Sequence, residues 1–184
     1  QNTALETEGL FRISATKVRL QAIQSALDNG ELVGFGTCDT HEVAGMLKQW
    51  LFMLPEPLIP FRSFLPLTKN GLFLKHTVTE HMPFDSQTHT NSGRNTRSAQ
   101  ELLKDIPPLN LRCLHKLMDL LHTVAQHSDK NKMDEDNLAM VFAPSLLKEK
   151  NAADSNPLRT NAVLTRVLAN MLRNYDTVFG PFTV

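Results

Sequence analysis

One arginine near the start of the chain stands in a setting that could present its charge to a partner. Arg12 follows the apolar pair Leu10-Phe11 and precedes Ser14, and Gly9 gives the backbone freedom to turn. Ser14 is the predicted cap of the helix that follows. We therefore expect Arg12 to lie at the edge of a loop. An arginine beside apolar residues is more commonly a surface or salt-bridge residue whose stem covers its neighbours, so local sequence leaves that alternative open.

Histidines and cysteines are the other residues that could bind a metal or act in redox chemistry. His115, His122 and His127 lie on one predicted helix, but their spacing is not the i, i+4 pairing of helical metal ligands. We interpret them as surface or half-buried histidines. Cys38 and Cys113 are far apart and fit no metal-binding or redox spacing, which favours a reduced intracellular protein. We therefore expect no metal site.

Charge and hydropathy exclude several classes of partner. The chain has 184 residues, and its 19 lysines and arginines equal its 19 aspartates and glutamates. No net field therefore favours nucleic acid or an anionic membrane, and a partner must be recognised by a local patch. No apolar run approaches the length of a membrane span, and the polar start Gln1-Asn2-Thr3 is not a signal peptide. We expect a soluble cytoplasmic protein without direct membrane insertion.

Apolar periodicity predicts five or six amphipathic helices, and hence an all-α domain. The first helix follows Ser14, carries Val18, Ile23 and Leu27 on one side, and ends at Asn29-Gly30. The second has the clearest pattern, with Asp39 and Glu42 forming a capping box and Pro55 stopping the helix. Its apolar stripe consists of Val43, Met46, Leu47, Trp50, Leu51 and Leu54. Trp50 is thus predicted to be core, whereas Lys48 falls off the stripe and should face solvent or a partner.

The remaining helices are predicted after a long irregular segment. Residues 61–97 offer at most one short helix, and 86–97 have the composition of a disordered linker. Ser98 and Glu101 then cap a short helix closed by Pro107-Pro108, and Asn110 is the expected cap of a long one. The last helix starts at Asn156-Pro157 and ends before Gly180-Pro181.

Asn137 is the polar exception within an apolar helix that Asp134 or Asp136 should cap and Pro144 should end or kink. A polar side chain at the head of a buried helix needs hydrogen-bond partners. It could cap the helix or bond nearby backbone, or it could brace a functional loop. The residue pattern alone leaves both interpretations open.

Separated motifs in this chain closely resemble those of the RhoGAP domain and occur in the same order. They are Thr7-Glu8-Gly9-Leu10-Phe11-Arg12-Ile13-Ser14, then Val43-Ala44 and Leu47-Lys48 running into Leu54-Pro55-Glu56-Pro57-Leu58, and later Asn131-Lys132-Met133 and Asn137-Leu138-Ala139-Met140-Val141-Phe142-Ala143-Pro144-Ser145-Leu146. The resemblance covers residues 7–60 and 98–180. It implies a single helical-bundle domain over residues 1–184, atypical at 61–97.

The resemblance also implies a function and a set of site residues. Arg12 falls on the family's arginine finger, which a GTPase-activating protein inserts in trans into a Rho-family GTPase. Lys48 falls on the lysine that supports the finger loop and contacts the GTPase, and Asn137 on an asparagine that bonds at that interface. The expected partner is a Rho-family small GTPase in its GTP-bound state, met by a monomer that is not itself an enzyme and has no cofactor.

Several departures from the family pattern support an alternative function. Phe52 and Met53 replace two charged residues in the family's motif, and Phe52 takes the place of a second basic residue one helical turn after Lys48. The family's domain also has helices before the Gly-x-Phe-Arg motif, whereas this chain begins only a few residues before that motif. Residues 61–97 are expected to lack the helix that the family has after the Leu-Pro-Glu-Pro motif. One hypothesis is a variant product, truncated at the front and altered in the middle. The functional alternative is a binding module that docks a GTPase or another partner without accelerating hydrolysis.

Overall fold

A computed structural model describes residues 4–60, 103–146 and 157–180, and in these ranges every regular element is helical. The first helices are α1 (Lys17–Asp28) and α2 (Thr40–Met53), separated by a 3₁₀ turn at Phe35–Thr37. They are followed by α3 (Pro108–Ala125), α4 (Ser128–Asn131), α5 (Glu135–Leu146), α6 (Pro157–Arg173) and α7 (Tyr175–Val178). The all-α prediction is confirmed. The predictions for residues 61–97 and for the Ser98–Glu101 cap lie outside the described residues.

Helix α5 is the centre of the bundle. It packs against α2, α3 and α6, while α1 packs on α2. Because three neighbours surround α5, apolar residues occur on most of its sides rather than in one stripe. Its fully buried residues are Leu138, Ala139, Phe142, Ala143 and Leu146. They form one core with Leu114, Met118 and Leu121 of α3 and with Leu168, Met171 and Leu172 of α6.

Helix α2 begins as predicted. The Asp39 side chain accepts a hydrogen bond from the His41 amide at 2.8 Å, and the Glu42 carboxylate accepts one from the Asp39 amide at 3.1 Å. This reciprocal pairing satisfies amide groups that the helix itself leaves without acceptors. The helix ends at Met53, just before Leu54-Pro55. The capping box and the stop at proline are therefore confirmed.

The prediction that Trp50 belongs to the core is wrong. Its side chain is 49% exposed, and the buried residues of α2 are Ala44, Gly45 and Leu51. A Cβ atom at Gly45 would lie 3.0 Å from Cδ2 of Leu20 on α1. The helix therefore approaches its neighbour through its smallest residues, which an apolar pattern does not emphasise, and Trp50 lies outside that contact.

Helix α1 differs from its prediction at its start and on its face. Thr16 occupies the N-cap position without a side-chain cap bond, and Ser14 lies outside the helix. Ile23 is buried, but Val18 is 75% and Leu27 40% exposed. The helix packs chiefly on α2, so a single contact line suffices and much of its apolar side stays in solvent. The predicted end at Asn29-Gly30 is confirmed.

Two prolines that were expected to end one helix stand at the start of the next. Pro107 is the N-cap of α3 and Pro108 its first residue, since proline suits the first helical position, where its missing N–H is not needed. Asn110, the expected cap, lies inside α3 and donates to the Leu58 carbonyl at 3.3 Å. Pro144 lies within α5. The start of α6 at Pro157 is confirmed.

Candidate functional site

Residues 9–13, here termed the Arg12 loop, form a tight left-handed turn. Gly9 and Phe11 have φ angles of 67° and 68°, and the amides of Arg12 and Ile13 both donate to the Gly9 carbonyl at 2.8 Å. Left-handed backbone costs a non-glycine residue roughly 1–2 kcal/mol, so Phe11 needs compensation. Burial of an aromatic ring is worth about that much or more. The turn sends the Phe11 ring inward and leaves Arg12 exposed, as expected for a residue at a loop edge.

The Phe11 ring fixes the loop to the bundle core. It is 4% exposed and meets the ring of Phe142 on α5 edge to face, with the centroids 5.0 Å apart and an interplanar angle of 72°. Such edge-to-face pairs add stabilisation beyond the buried area. The backbone carrying Arg12 is therefore anchored to the most buried helix of the fold.

Lys48 binds the same loop from α2. Its Nζ atom donates to the Phe11 carbonyl at 2.6 Å, a charge-assisted bond between residues 37 positions apart. Lys48 is half-buried, and burial lowers the pKa of its ammonium group below its ordinary value. The expectation that Lys48 faces solvent is thus corrected, because its charged end is turned to the loop backbone. Contact of Lys48 with a partner stays a prediction.

Asn131, at the end of α4, holds the other side of the loop. Its side-chain amide donates to the carbonyls of Leu5 and Val124 at 2.8 and 2.9 Å, and its side-chain oxygen accepts from the Met133 amide at 2.7 Å. Its backbone carbonyl accepts from the Gly9 amide at 2.8 Å. The residue is 0% exposed. The motif that contains Asn131 indicates no function for this residue, since Leu5 and Gly9, which it binds, lie far away in the chain.

Asn137 lies on the first turn of α5, near Arg12. Its side-chain amide donates to the Lys132 carbonyl at 3.2 Å, and its backbone amide donates to the Asp134 carboxylate at 2.8 Å. Asp134 rather than Asp136 therefore caps α5, and Asn137 makes the backbone bond that one interpretation expected. Arg12 and Asn137 line one open surface depression together with Ser128, Asp129, Lys132 and Asp134.

Two of the three candidate site residues thus share a surface, and the third supports it. Arg12 and Asn137 face the same depression, while Lys48 reaches the Arg12 loop from behind through the Phe11 carbonyl. The charged side chains around the depression are of both signs. This arrangement can present an exposed guanidinium from a rigid backbone, with an amide group beside it.

Phe52 lies on a second, neighbouring groove. It is 66% exposed and shares this groove with Ser14, Leu20, Gln49, Val141, Pro144 and Lys48. The position one turn after Lys48 is therefore apolar and largely in solvent, as the sequence suggested. A basic side chain at this place would have stood close to Lys48.

The histidines take part in packing and local hydrogen bonds. The ring of His122 stacks on Tyr175 with the centroids 4.6 Å apart, and His127 Nδ1 lies 2.9 Å from the Thr123 carbonyl. Within residues 4–60, 103–146 and 157–180, no three His, Cys, Asp or Glu side chains come together as a metal site would require. In the same ranges no helix is long and apolar enough to cross a membrane.

Comparison with solved structures shows the fold. Human Rho GTPase activating protein 15 superposes with a TM-score of 0.78 at 24% identity, over 96% of this chain and 77% of that one. The BH domain from Graf, the GTPase regulator associated with focal adhesion kinase, superposes with a TM-score of 0.69, also at 24% identity. That match covers 95% of this chain and 85% of the other.

Comparison of sequences shows the family. Rho GTPase-activating protein 19 of Mus musculus is 35% identical over 182 residues, which cover 95% of this chain and 35% of the mouse protein. Rho GTPase-activating protein gacY of Dictyostelium discoideum is 32% identical over 96% of this chain and 22% of its own length. The chain thus spans about a third or less of these relatives. The family model described as RhoGAP domain matches residues 1–151, and the chain therefore belongs to the RhoGAP domain family.

Proposed function

We propose that this chain is a GTPase-activating domain that stimulates GTP hydrolysis by Rho-family small GTPases, with Arg12 supplied in trans as an arginine finger. The observation that carries the proposal is the Arg12 loop itself. Its backbone is bound by Lys48 and by Asn131 and is packed through Phe11 onto Phe142, yet Arg12 is exposed. A catalytic arginine delivered to another protein requires this combination of a fixed backbone and a free head group.

The chemistry needs a positive charge that the partner lacks. A GTPase holds its nucleotide and magnesium, but negative charge builds up on the phosphoryl oxygens during transfer to water. A guanidinium inserted beside those oxygens stabilises the charge, an effect of about 10³ to 10⁵ in rate for GAP-assisted GTPases. The planar fork of donors makes arginine better suited than lysine. GTP and magnesium belong to the partner, so the domain needs no cofactor of its own.

Lys48 and Asn137 have different parts in this proposal. Lys48 binds the Phe11 carbonyl and so fixes the residue before Arg12. This contact restricts the positions that the guanidinium can reach. Asn137 lies beside Arg12 on the depression. It would offer the GTPase surface its side-chain oxygen and the amide hydrogen that it does not donate to Lys132. We further propose that the domain acts as a cytoplasmic monomer on the GTP-bound partner. Its balanced charge gives no support to nucleic acid as a partner.

Single-turnover GTP hydrolysis by several Rho-family GTPases tests the proposal. We expect the chain to accelerate hydrolysis by at least one of them, and Arg12→Ala to lose about 10³-fold or more of that acceleration while still binding the GTP-bound form. Arg112→Ala is the matched control, since Arg112 is an exposed arginine at the opposite end of α3 from Val124, about 18 Å along the helix. Acceleration unchanged by Arg12→Ala would overturn the finger.

Phe52 favours a second candidate, a binding module that docks the GTPase without accelerating hydrolysis. The position is apolar and 66% exposed where the family pattern has a basic residue. An apolar side chain there suits contact but adds no charge near the Arg12 loop. Binding to the GTP-bound partner together with an unaccelerated rate would support this candidate. If the chain neither binds the GTP-bound partner nor accelerates hydrolysis, both candidate functions are refuted.

A further inference from the structure

Asn131 joins the N-terminal segment of the chain to the segment around α4, which is distant from it in sequence. Through one side chain and one backbone carbonyl it contacts Leu5, Gly9, Val124 and Met133. Its contact with Leu5 spans 126 positions. Both amide hydrogens and the side-chain oxygen have partners, and the residue is wholly buried. A buried amide satisfied in this way has one orientation, because any rotation would leave a polar group without a partner.

The bonds of Asn131 meet the chain on the N-terminal side of the Arg12 loop. The Leu5 carbonyl and the Gly9 amide bracket residues 5–9, which lead into the left-handed turn. Lys130, the residue before Asn131, adds a salt bridge to Glu6 at 2.6 Å. Exposed ion pairs contribute little, so the buried asparagine carries most of this attachment.

Lys48 and Asn131 hold the loop from opposite directions. Lys48, on α2, fixes the Phe11 carbonyl through its side chain, and Asn131, the last residue of α4, fixes the Gly9 amide through its backbone carbonyl. The Gly9 carbonyl in turn accepts from the Arg12 and Ile13 amides. A shift of Gly9 therefore moves the backbone of Arg12 directly. If Lys48 held the loop without the Asn131 contact, the turn could rotate about Phe11.

We infer that Asn131 is a positioning residue for Arg12. Its backbone carbonyl binds the Gly9 amide, and its side chain holds that carbonyl in place through the bonds to Leu5, Val124 and Met133. The inference rests on the proposed function, in which Arg12 enters the GTPase. Asn131 touches neither the partner nor the nucleotide in this scheme and acts through the loop backbone. Its loss should therefore change the rate within the complex rather than formation of the complex.

Single-turnover hydrolysis with increasing GAP concentration separates these effects. We expect Asn131→Ala to lower the plateau rate by about 10 to 10²-fold, since a misplacement of about 1 Å can cost that much, and to leave the half-saturating concentration nearly unchanged. Simple destabilisation would do the reverse, because a smaller folded fraction raises the apparent half-saturating concentration and keeps the plateau. A wild-type plateau in Asn131→Ala would overturn the inference.

Asn170→Ala is the matched control. Asn170 is a buried asparagine of α6, 5% exposed, that hydrogen-bonds Asn174 and lies in a different helix from the loop anchors. We expect it to lower stability and keep the plateau rate. In an Arg12→Ala background, Asn131→Ala should have no further effect on the plateau, because two changes in one mechanism do not add. An additive loss would show that Asn131 acts without Arg12.

A measurement on the unaltered chain guards against a variant that does not fold. The Gly9 amide should exchange its hydrogen slowly, since its acceptor is the carbonyl of the buried Asn131. An unprotected Gly9 amide would overturn the anchor whatever the variants do. Failure of the proposed function is a different result, namely no acceleration by the wild-type chain with any GTPase.

Discussion

At the scale of single residues, the Arg12 loop depends on two left-handed positions with different requirements. Gly9 and Phe11 have nearly equal φ angles. The left-handed backbone of Phe11 is compensated by burial of its ring against Phe142, whereas Gly9 is needed because it has no side chain. A Cβ atom at Gly9 would lie 2.7 Å from Cδ1 of Ile13, the residue after Arg12. The glycine therefore serves both the backbone conformation and the packing of the loop.

Gly9→Ala should reduce both stability and GTPase activation. We expect a loss of about 1–2 kcal/mol from the left-handed backbone, and a lower hydrolysis rate because Ile13 must move next to Arg12. Gly30→Ala is the control, since Gly30 has a φ of 75° and no atom within 4 Å of an added Cβ. It should lose similar stability in urea denaturation yet keep the rate. Equal effects of the two variants on the rate would contradict this account.

At the scale of elements, α2 is the helix whose start the sequence specifies best. Its capping box also joins it to α1, because the Glu42 carboxylate accepts from the Arg19 guanidinium at 2.8 and 3.2 Å. That bond and the one from the Asp39 amide hold the pKa of Glu42 below its ordinary value. Since α2 carries Lys48, the same helix start sets the position of the loop's support.

Removing the cap tests how much α2 depends on it. Asp39→Ala should lower the free energy of unfolding by about 1 kcal/mol, because the His41 amide loses its acceptor. Thr16→Ala at the α1 N-cap is the matched control, since Thr16 makes no side-chain cap bond. Urea denaturation should show a change within about 0.5 kcal/mol for Thr16→Ala. A loss as large as that of Asp39→Ala would refute the cap as the cause.

At the scale of the whole molecule, one helix serves both the core and the candidate site. Helix α5 contacts α2, α3 and α6, and its Phe142 packs against the Phe11 ring. On its first turn it carries the half-buried Asn137. The site residues are therefore held relative to one another by a common core. We therefore expect the order of the Arg12 loop to depend on the order of that core.

Phe142→Ala should be severe. We expect a loss of about 3–5 kcal/mol, because a wholly buried ring is removed from the centre of the bundle and from contact with Phe11. Met140→Ala is the control on the same helix, 66% exposed, with an expected change within about 0.5 kcal/mol. Urea denaturation measures both. A mild effect of Phe142→Ala would mean that α5 is not the centre of the core.

Much of the helical framework could be read from the sequence. The all-α class, the Asp39 capping box, the end of α1 at Asn29-Gly30 and the start of α6 at Pro157 all follow from neighbouring residues. Such signals are local, since a cap or a proline acts within one helical turn. A local signal does not show which of two neighbouring helices it belongs to. The pair Pro107-Pro108 was expected to close one helix, but it stands at the start of α3.

The sequence by itself determined which residue types stand at the candidate site, and it placed Arg12 at the edge of a loop. Only the tertiary structure decided how that loop is held. The Lys48 contact with Phe11 spans 37 positions and that of Asn131 with Leu5 spans 126, so no local periodicity encodes either. The exposure of Trp50 was decided in the same way, by the close approach of α1 to Gly45. Periodicity reports that a face is apolar, but only packing determines which apolar residues a neighbour covers.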